Sequence, residues 1–493
     1  MKKLKTKSML ACAVLLSVLS VGTLAEATTT ATINDITVKK KINFGHYWQS
    51  YKGSGDLSNM ASYNKDAIIW KVVKNNDSTL TLLSEKVLYA DAFNPTRTNV
   101  WSSSQIKATL NNTMAGNGFA GDAFTAAEFA LIVDKTYDVH SYNTSIDTID
   151  GTTTDNSKIY LLDVEDVKDN ATIFNGNSSR KASPTEFANN VKMYGNGYTA
   201  STLSYDGYVN WWLRSAGGGT DNWHIDKMDG HIARYWSDLE GYTVRPALDL
   251  NLTNLIFTTN FENGKLTATA GNSIKFGEIG ETSTLDIWMD DTGNGASRVT
   301  GDVAVGNTLK LDGSKVKIAY TGAKGAGGGE FVSALFFDES GYTYNSSASE
   351  LSNGTLVGYG KGNAEATAAS GTTEIDMSAL GEGSYKAEIF NENSLMIGKR
   401  AEIKGTLGVD TNNKINYTVS PDALQFAVVV GADNNVILNA DGTLSKIISG
   451  NGSLMVNANV STNADNIATT GANTVASGKT LTFNGGTLAQ KVQ

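Results

Sequence analysis

One cysteine, four prolines and four histidines in 493 residues are the scarcities that shape this sequence. The cysteine, Cys12, falls in an N-terminal stretch that reads as a secretory signal over residues 1–27. Lys2, Lys3, Lys5 and Lys7 precede an apolar run from Met9 to Leu24, and Ala25-Glu26-Ala27 forms a small-x-small cleavage site. The run is shorter than the roughly 20 residues a spanning helix needs. A lipid-anchored precursor would carry its cysteine at the far end of that run, not near its start. Removal of the signal leaves no cysteine, which excludes disulfides, cysteine metal sites and thiol nucleophiles. Basic clusters are scarce too. The formal charge is −10, and loss of four lysines and one glutamate leaves 36 basic against 49 acidic groups, or −13. That balance argues against a nucleic-acid partner and suits a soluble exported protein.

What is present is unevenly distributed. Seven of eight tryptophans lie between Trp48 and Trp236, and all four histidines (His46, His140, His224, His231) fall in the same part. From about Asn251 onward Gly, Asn, Ser and Thr dominate, and the length predicts two to four domains. In the first part, Ile68 to Val73 reads as a buried strand and Thr79 to Leu88 as its hairpin partner across Asn75-Asn76-Asp77. Trp101 to Leu110 reads as a helix entered through serine caps. Thr125 to Glu128 and Ser183 to Glu186 read as capping boxes, the second with proline at the first helical position. Ile159 to Leu162 is a short core strand.

The densest stretch is Tyr208–Leu248, which holds four tryptophans. Trp211 and Trp212 sit on an aromatic strand and point to opposite faces, so at least one is core. Arg214 and Arg245 are expected to tie loops to a carboxylate or carbonyl. Asp229-Gly230 signals a hairpin. Pro246 cannot donate to a ladder, so the closing strand is an edge strand or begins there.

These letters, WWLRS, then DG, then VRPAL, resemble the signature of a widespread bacterial extracellular domain family of unknown function, as does Ile42–Tyr47 (INFGHY). Ala216 stands where that family has proline, a departure at the loop exit. The resemblance covers roughly residues 40 to 252 and implies an α+β, C-type-lectin-like domain at residues 33–252. In such a domain a mostly antiparallel sheet displays variable loops before its closing strand. Residues 255–404 alternate in short strands, with turns such as Asp312-Gly313, and predict an all-β sandwich. The Leu356–Lys361 and Gly383–Glu392 segments resemble immunoglobulin-like modules. Residues 405–493 read as a β-rich, solenoid-like stalk, either released or stopping short of an anchor.

Noncovalent recognition of an extracellular glycan or protein is the expected function. Its contact face would comprise Asp221, Asn222, Trp223, His224, Arg234, Tyr235, Trp236, Asp238 and Tyr242, with Glu240 beside them. Flat aromatics beside amides and carboxylates give large contact area at small entropic cost. The competing reading makes several of these rings core residues of a passenger domain without a ligand. A third reading, an iron-dependent enzyme, would use His224, Asp226 and His231. The fold's cysteine-dependent enzyme branch is excluded, and no serine-hydrolase elbow is evident. No cofactor or metal is expected. Asp286, Asp290, Asp291 and Asn294 would gather oxygen ligands for calcium only outside the usual loop spacing.

Overall fold

The computed structural model describes residues 36–194, 199–239, 241–260, 270–276, 283–291, 298–325 and 328–488. The signal read at residues 1–27, Glu240 and Asn294 lie outside the described residues. The chain is mostly β, in several sheets. Its longest described helix, Gln105–Asn111, has seven residues, and no described helix is long and apolar enough to cross a membrane.

The first sheet grows from Tyr63–Asn75, where Ile68, Trp70 and Val72 alternate inward. It pairs antiparallel with Lys41–Tyr51 on one side and with Thr79–Ser84 on the other. The hairpin turn is fixed locally, since Asn75 Oδ1 accepts from the Asp77 amide at 2.9 Å and Asp77 takes φ +65°. Ala247–Asn251 then pairs with both Thr79–Ser84 and Ile159–Tyr160. It is therefore an interior strand that begins immediately after Pro246, whose carbonyl still accepts from Ser84 at 3.0 Å. Thr125 and Glu128 form the reciprocal cap of Ala126–Leu131. In the second expected box the capping residue is Thr185, not Ser183. Its hydroxyl accepts from Ala188 at 3.0 Å, which starts the helix at Glu186 and leaves Pro184 outside it.

A second sheet carries the aromatic stretch. Its order is Ile232–Trp236, Asp221–Ile225, Trp211–Ala216, Thr243–Val244 and Tyr89–Ala90, with the Lys135–Ser141 and Gly151–Ser157 hairpin joined to Trp211–Ala216. Both sheets and the helices enclose one core, which includes Trp70, Trp101, Trp211 and Trp212.

That core does not end at the composition boundary. Thr284–Asp290 lies parallel on the outer edge of Lys41–Tyr51, with Ile42 opposite Leu285. Leu285, Ile287 and Met289 enter the first core, together with Leu395 and Met396. Beyond it, two sheets pack on another core. One is Leu356–Gly360, Phe331–Asp338, Gly383–Asn393 and Ala401–Val409; the other is Ser370–Asp376, Lys315–Thr321 and Ala304–Asp312. Both are extended by parallel strands, and Ala401–Val409 runs across residue 405.

From Ile415 the backbone winds in three parallel ladders. Tyr417, Val436, Leu454 and Asn473 stack in one, Val428, Ile448 and Ile467 in the second, and Gly442, Val460 and Leu481 in the third. Each rung is 18 to 21 residues from the next along the chain. One corner demands glycine. A Cβ on Gly452 would stand 2.3 Å from the Gly431 carbonyl, and one on Gly471 would stand 2.4 Å from that of Gly452.

Candidate functional site

The aromatic stretch sorts into an interior and a face. Trp211 and Trp212 are both fully buried, since each side of their strand is packed. Their indole nitrogens donate to Arg180 O and Asp91 O, each at 3.0 Å. Trp223 is buried as well and donates to Tyr142 O at 3.3 Å, while Asn222 donates to Ser215 O at 3.2 Å. His224 packs against Tyr242 with ring centroids 4.7 Å apart, and Tyr242 lies 4.5 Å from Trp212. Burial pushes the His224 imidazole down to about 3, so the ring is neutral, and its Nδ1 has no hydrogen-bond partner. Four of the nine expected contact residues, Asn222, Trp223, His224 and Tyr242, are thus interior and cannot meet a macromolecular surface. Alternation along Asp221–Ile225 does not turn half of them outward, because this strand is covered on both faces.

The other five stay at or near solvent. Tyr235 and Trp236 are 44% and 50% exposed and stand side by side, ring centroids 5.5 Å apart. Asp221 is half-buried and lies 3.9 Å from the exposed Arg234. The Arg97 guanidinium, which the sequence reading did not single out, lies 4.2 Å over the Trp236 ring, and its Nε is 3.5 Å from Asp238. Arg97 arrives from a turn in which Asn94 Oδ1 accepts from Thr96 and Arg97 takes φ +57°. The Asn-Pro-Thr sequence was the available signal for that turn; nothing in it pointed to Trp236. Two segments about 140 residues apart therefore meet in one platform of two rings, a guanidinium and a carboxylate.

Arg214 and Arg245 both reach backbone carbonyls of distant segments. Arg214 donates to Leu161 O and Asp166, each at 2.7 Å, and to Asp138 O. Burial alone would lower its pKa, but Asp166 and Asp163 outweigh that and hold it above the ordinary value. Arg245 donates to Ser84 O at 2.8 Å and lies 5.0 Å over Trp211. Burial brings it down to about 10, with Glu85 only partly opposing.

The metal readings fare differently. Asp226 and His231 do come together, with Asp229 as the third member, their ligand atoms within 4.8 Å of one another at an exposed turn. His224 is not in that group. It is buried, so the two-histidine, one-carboxylate set is not assembled. In the calcium candidate, Asp286 accepts from Asn43 at 2.6 Å, and Asp291 accepts from Val299 and Thr300 at 2.8 Å each. Those carboxylates hold the backbone and a neighbouring strand together.

A second constellation had no local signature. A cleft of about 300 Å³ is lined by His140, Asp163, Asp166 and Arg214. Asp163 caps the Val164–Lys168 helix and accepts from both His140 N and His140 Nδ1 at 3.0 Å. With a carboxylate as partner, Nδ1 is the donor. No nucleophilic hydroxyl is bonded to that ring among the described residues, and the cleft's buried charges are paired, as in a structural network.

Residues 77–252 match a family described as Domain of unknown function (DUF6273). The matched segment contains WWLRS, the platform strand and VRPAL, and omits the first two strands of the sheet. No curated protein and no solved structure matches the chain.

Proposed function

We propose that this is an exported, noncatalytic binding protein that recognises an extracellular glycan or a protein surface through the Tyr235–Trp236 platform. One observation carries the reading: two half-exposed rings stand together on a surface strand, and Arg97 and Asp238 fix the orientation of one of them. Adjacent aromatic rings rimmed by charged groups have the composition that interaction surfaces favour. We read residues 33–252 as C-type-lectin-like, a reading supported by a mostly antiparallel sheet with short helices in which the platform precedes the closing strand Ala247–Asn251. The following sheets serve as an immunoglobulin-like spacer and a solenoid stalk. The passenger reading draws support from Asn222, Trp223, His224 and Tyr242, which complete the core instead of facing outward.

The test uses the whole chain without its signal, since the Thr284–Asp290 strand contributes to the first core. A glycan array with extracellular-matrix proteins should give a signal that Trp236→Ala and Arg97→Ala abolish. Trp223→Ala should alter melting alone. A blank array from folded protein would leave the passenger reading ahead.

A further inference from the structure

Between the first core and the following sheet lies a cavity of about 230 Å³, remote in sequence from the platform. Asn43, Glu128, Phe331, Tyr359, Lys361 and Glu392 line it. Asn43 is 4% exposed, and its Nδ2 donates to Asp286 at 2.6 Å. A carboxylate only accepts, so the amide orientation is fixed and Oδ1 must be the other end. That oxygen is buried and has no donor. Glu128 is 2% exposed, and one of its oxygens accepts from the Thr125 amide and hydroxyl at 2.8 and 2.9 Å. The other has no donor among the described residues. Glu392 accepts from Ser333 at 2.8 Å and from the Tyr359 hydroxyl. Lys361 sits 4.2 Å over the Phe331 ring and forms no ion pair among the described residues.

The lining is rich in acceptors: the Asn43 amide oxygen and the carboxylates of Glu128 and Glu392, with Lys361 and His46 also on its wall. A buried acceptor without a donor is destabilising, and a donor-bearing cation supplies the missing hydrogen bond beside two carboxylates. We propose that this cavity binds a small primary-ammonium ligand, held by Asn43 Oδ1, Glu128 and Glu392, with Phe331 as its apolar wall. The volume lies below the roughly 300 Å³ at which drug-sized pockets begin, which fits a single amino acid or amine. Lys361 is placed to receive a carboxylate, so a zwitterionic amino acid satisfies more of the lining than a simple amine.

The experiment titrates the signal-free full chain, by calorimetry and thermal shift, with the free amino acids and their decarboxylated amines. Glucosamine, a short acetylated lysyl peptide and the neutral control glycerol complete the panel. At least one primary amine is expected to bind and raise the melting temperature. Glu128→Gln should weaken it at least tenfold without unfolding, because glutamine also serves at that helix position. Glu392→Gln should weaken it as well, and Trp236→Ala should leave it unchanged. Lys361→Met should penalise amino acids more than their amines. Binding of the lysyl peptide alone would make the source a protein lysine. No response to any amine at millimolar concentration, or binding undiminished in both Glu128→Gln and Glu392→Gln, would overturn the proposal.

Discussion

The two ends of this chain build β-structure by opposite means. In the first part local hairpins are joined by pairings between strands far apart in sequence: Asn43 bonds Asp286 across 243 residues, and Leu80 pairs with Leu250. In the last part every strand neighbours one 18 to 21 residues away. Distant pairing must pay loop-closure entropy before any contact repays it, whereas a wound rung adds to a template already formed. The first part meets that cost with large rings, seven of the eight tryptophans lying there, five of them buried. The last part uses Val, Ile and Leu inside and short polar turns outside. Rings and distance go together here, as do aliphatic stacking and locality.

Trp212→Ala is the hardest blow to this contrast. It empties a fully buried site between Phe93, His224 and Tyr242 and should cost about 3–5 kcal/mol. Tryptophan fluorescence, which reports mainly the first part, should melt earlier, while the far-ultraviolet signal of the parallel ladders keeps its midpoint. Coincident loss of both would mean that the shared strand Thr284–Asp290 couples the two cores into one cooperative unit. The reciprocal test is Gly452→Ala, which drives a methyl into a backbone carbonyl that cannot swing away. It should cost up to about 3 kcal/mol and lower the second transition alone.

Acid separates the regions without mutation. His224 is neutral in the folded chain, its pKa depressed to about 3, whereas the unfolded chain binds a proton near the ordinary value of about 6.5. Its contribution is therefore complete above the unfolded value and is lost as pH falls from there toward 3. At pH 5 the loss is about 2 kcal/mol. Chemical denaturation of the first transition between pH 7 and 5 should show this slope, and His224→Gln should flatten it. The ladder region from 415 to 483 contains no histidine and should not share it.

Local features of the first part were legible because their causes are local. The Asn75–Asp77 turn, the Ser104 cap, the Thr125–Glu128 box and a strand starting after Pro246 each follow from a few adjacent residues. The Thr185 cap was misplaced by two positions, because Ser183 and Thr185 offer the same hydroxyl and only packing chooses between them. The coarse β-rich character of the remainder was visible in its turn spacing. The rung period was not, since inward positions in the solenoid accept any of several aliphatics and the rungs differ in length. In the aromatic stretch, composition marked where rings concentrate but not which side of a sheet is covered. That side is decided by Tyr142, Asp91 and other residues far away in sequence, so Trp223 and Trp236 were indistinguishable from their letters alone. The Arg97 contact and the His140–Asp163 pair were invisible for the same reason.

Trp223 and Trp236 sharpen the comparison at its finest scale, because they lie on adjacent strands of one hairpin, opposite Arg234 and Asp221 respectively, with opposite fates. Trp223→Ala opens a cavity in the first core. Trp236→Ala removes a ring whose neighbours are Tyr235, Arg97 and water. An exposed cation–π contact is worth about 0.5–1 kcal/mol, and much of that returns when the freed guanidinium is hydrated or moves closer to Asp238. The expected change in stability is therefore within about 0.5 kcal/mol, the range of ordinary surface substitutions. A much larger loss in denaturant titration would mean that Trp236 anchors the strand Ile232–Trp236 to the Arg97 turn. The ring would then be accounted for by folding, and the platform would lose its claim to be kept for a partner.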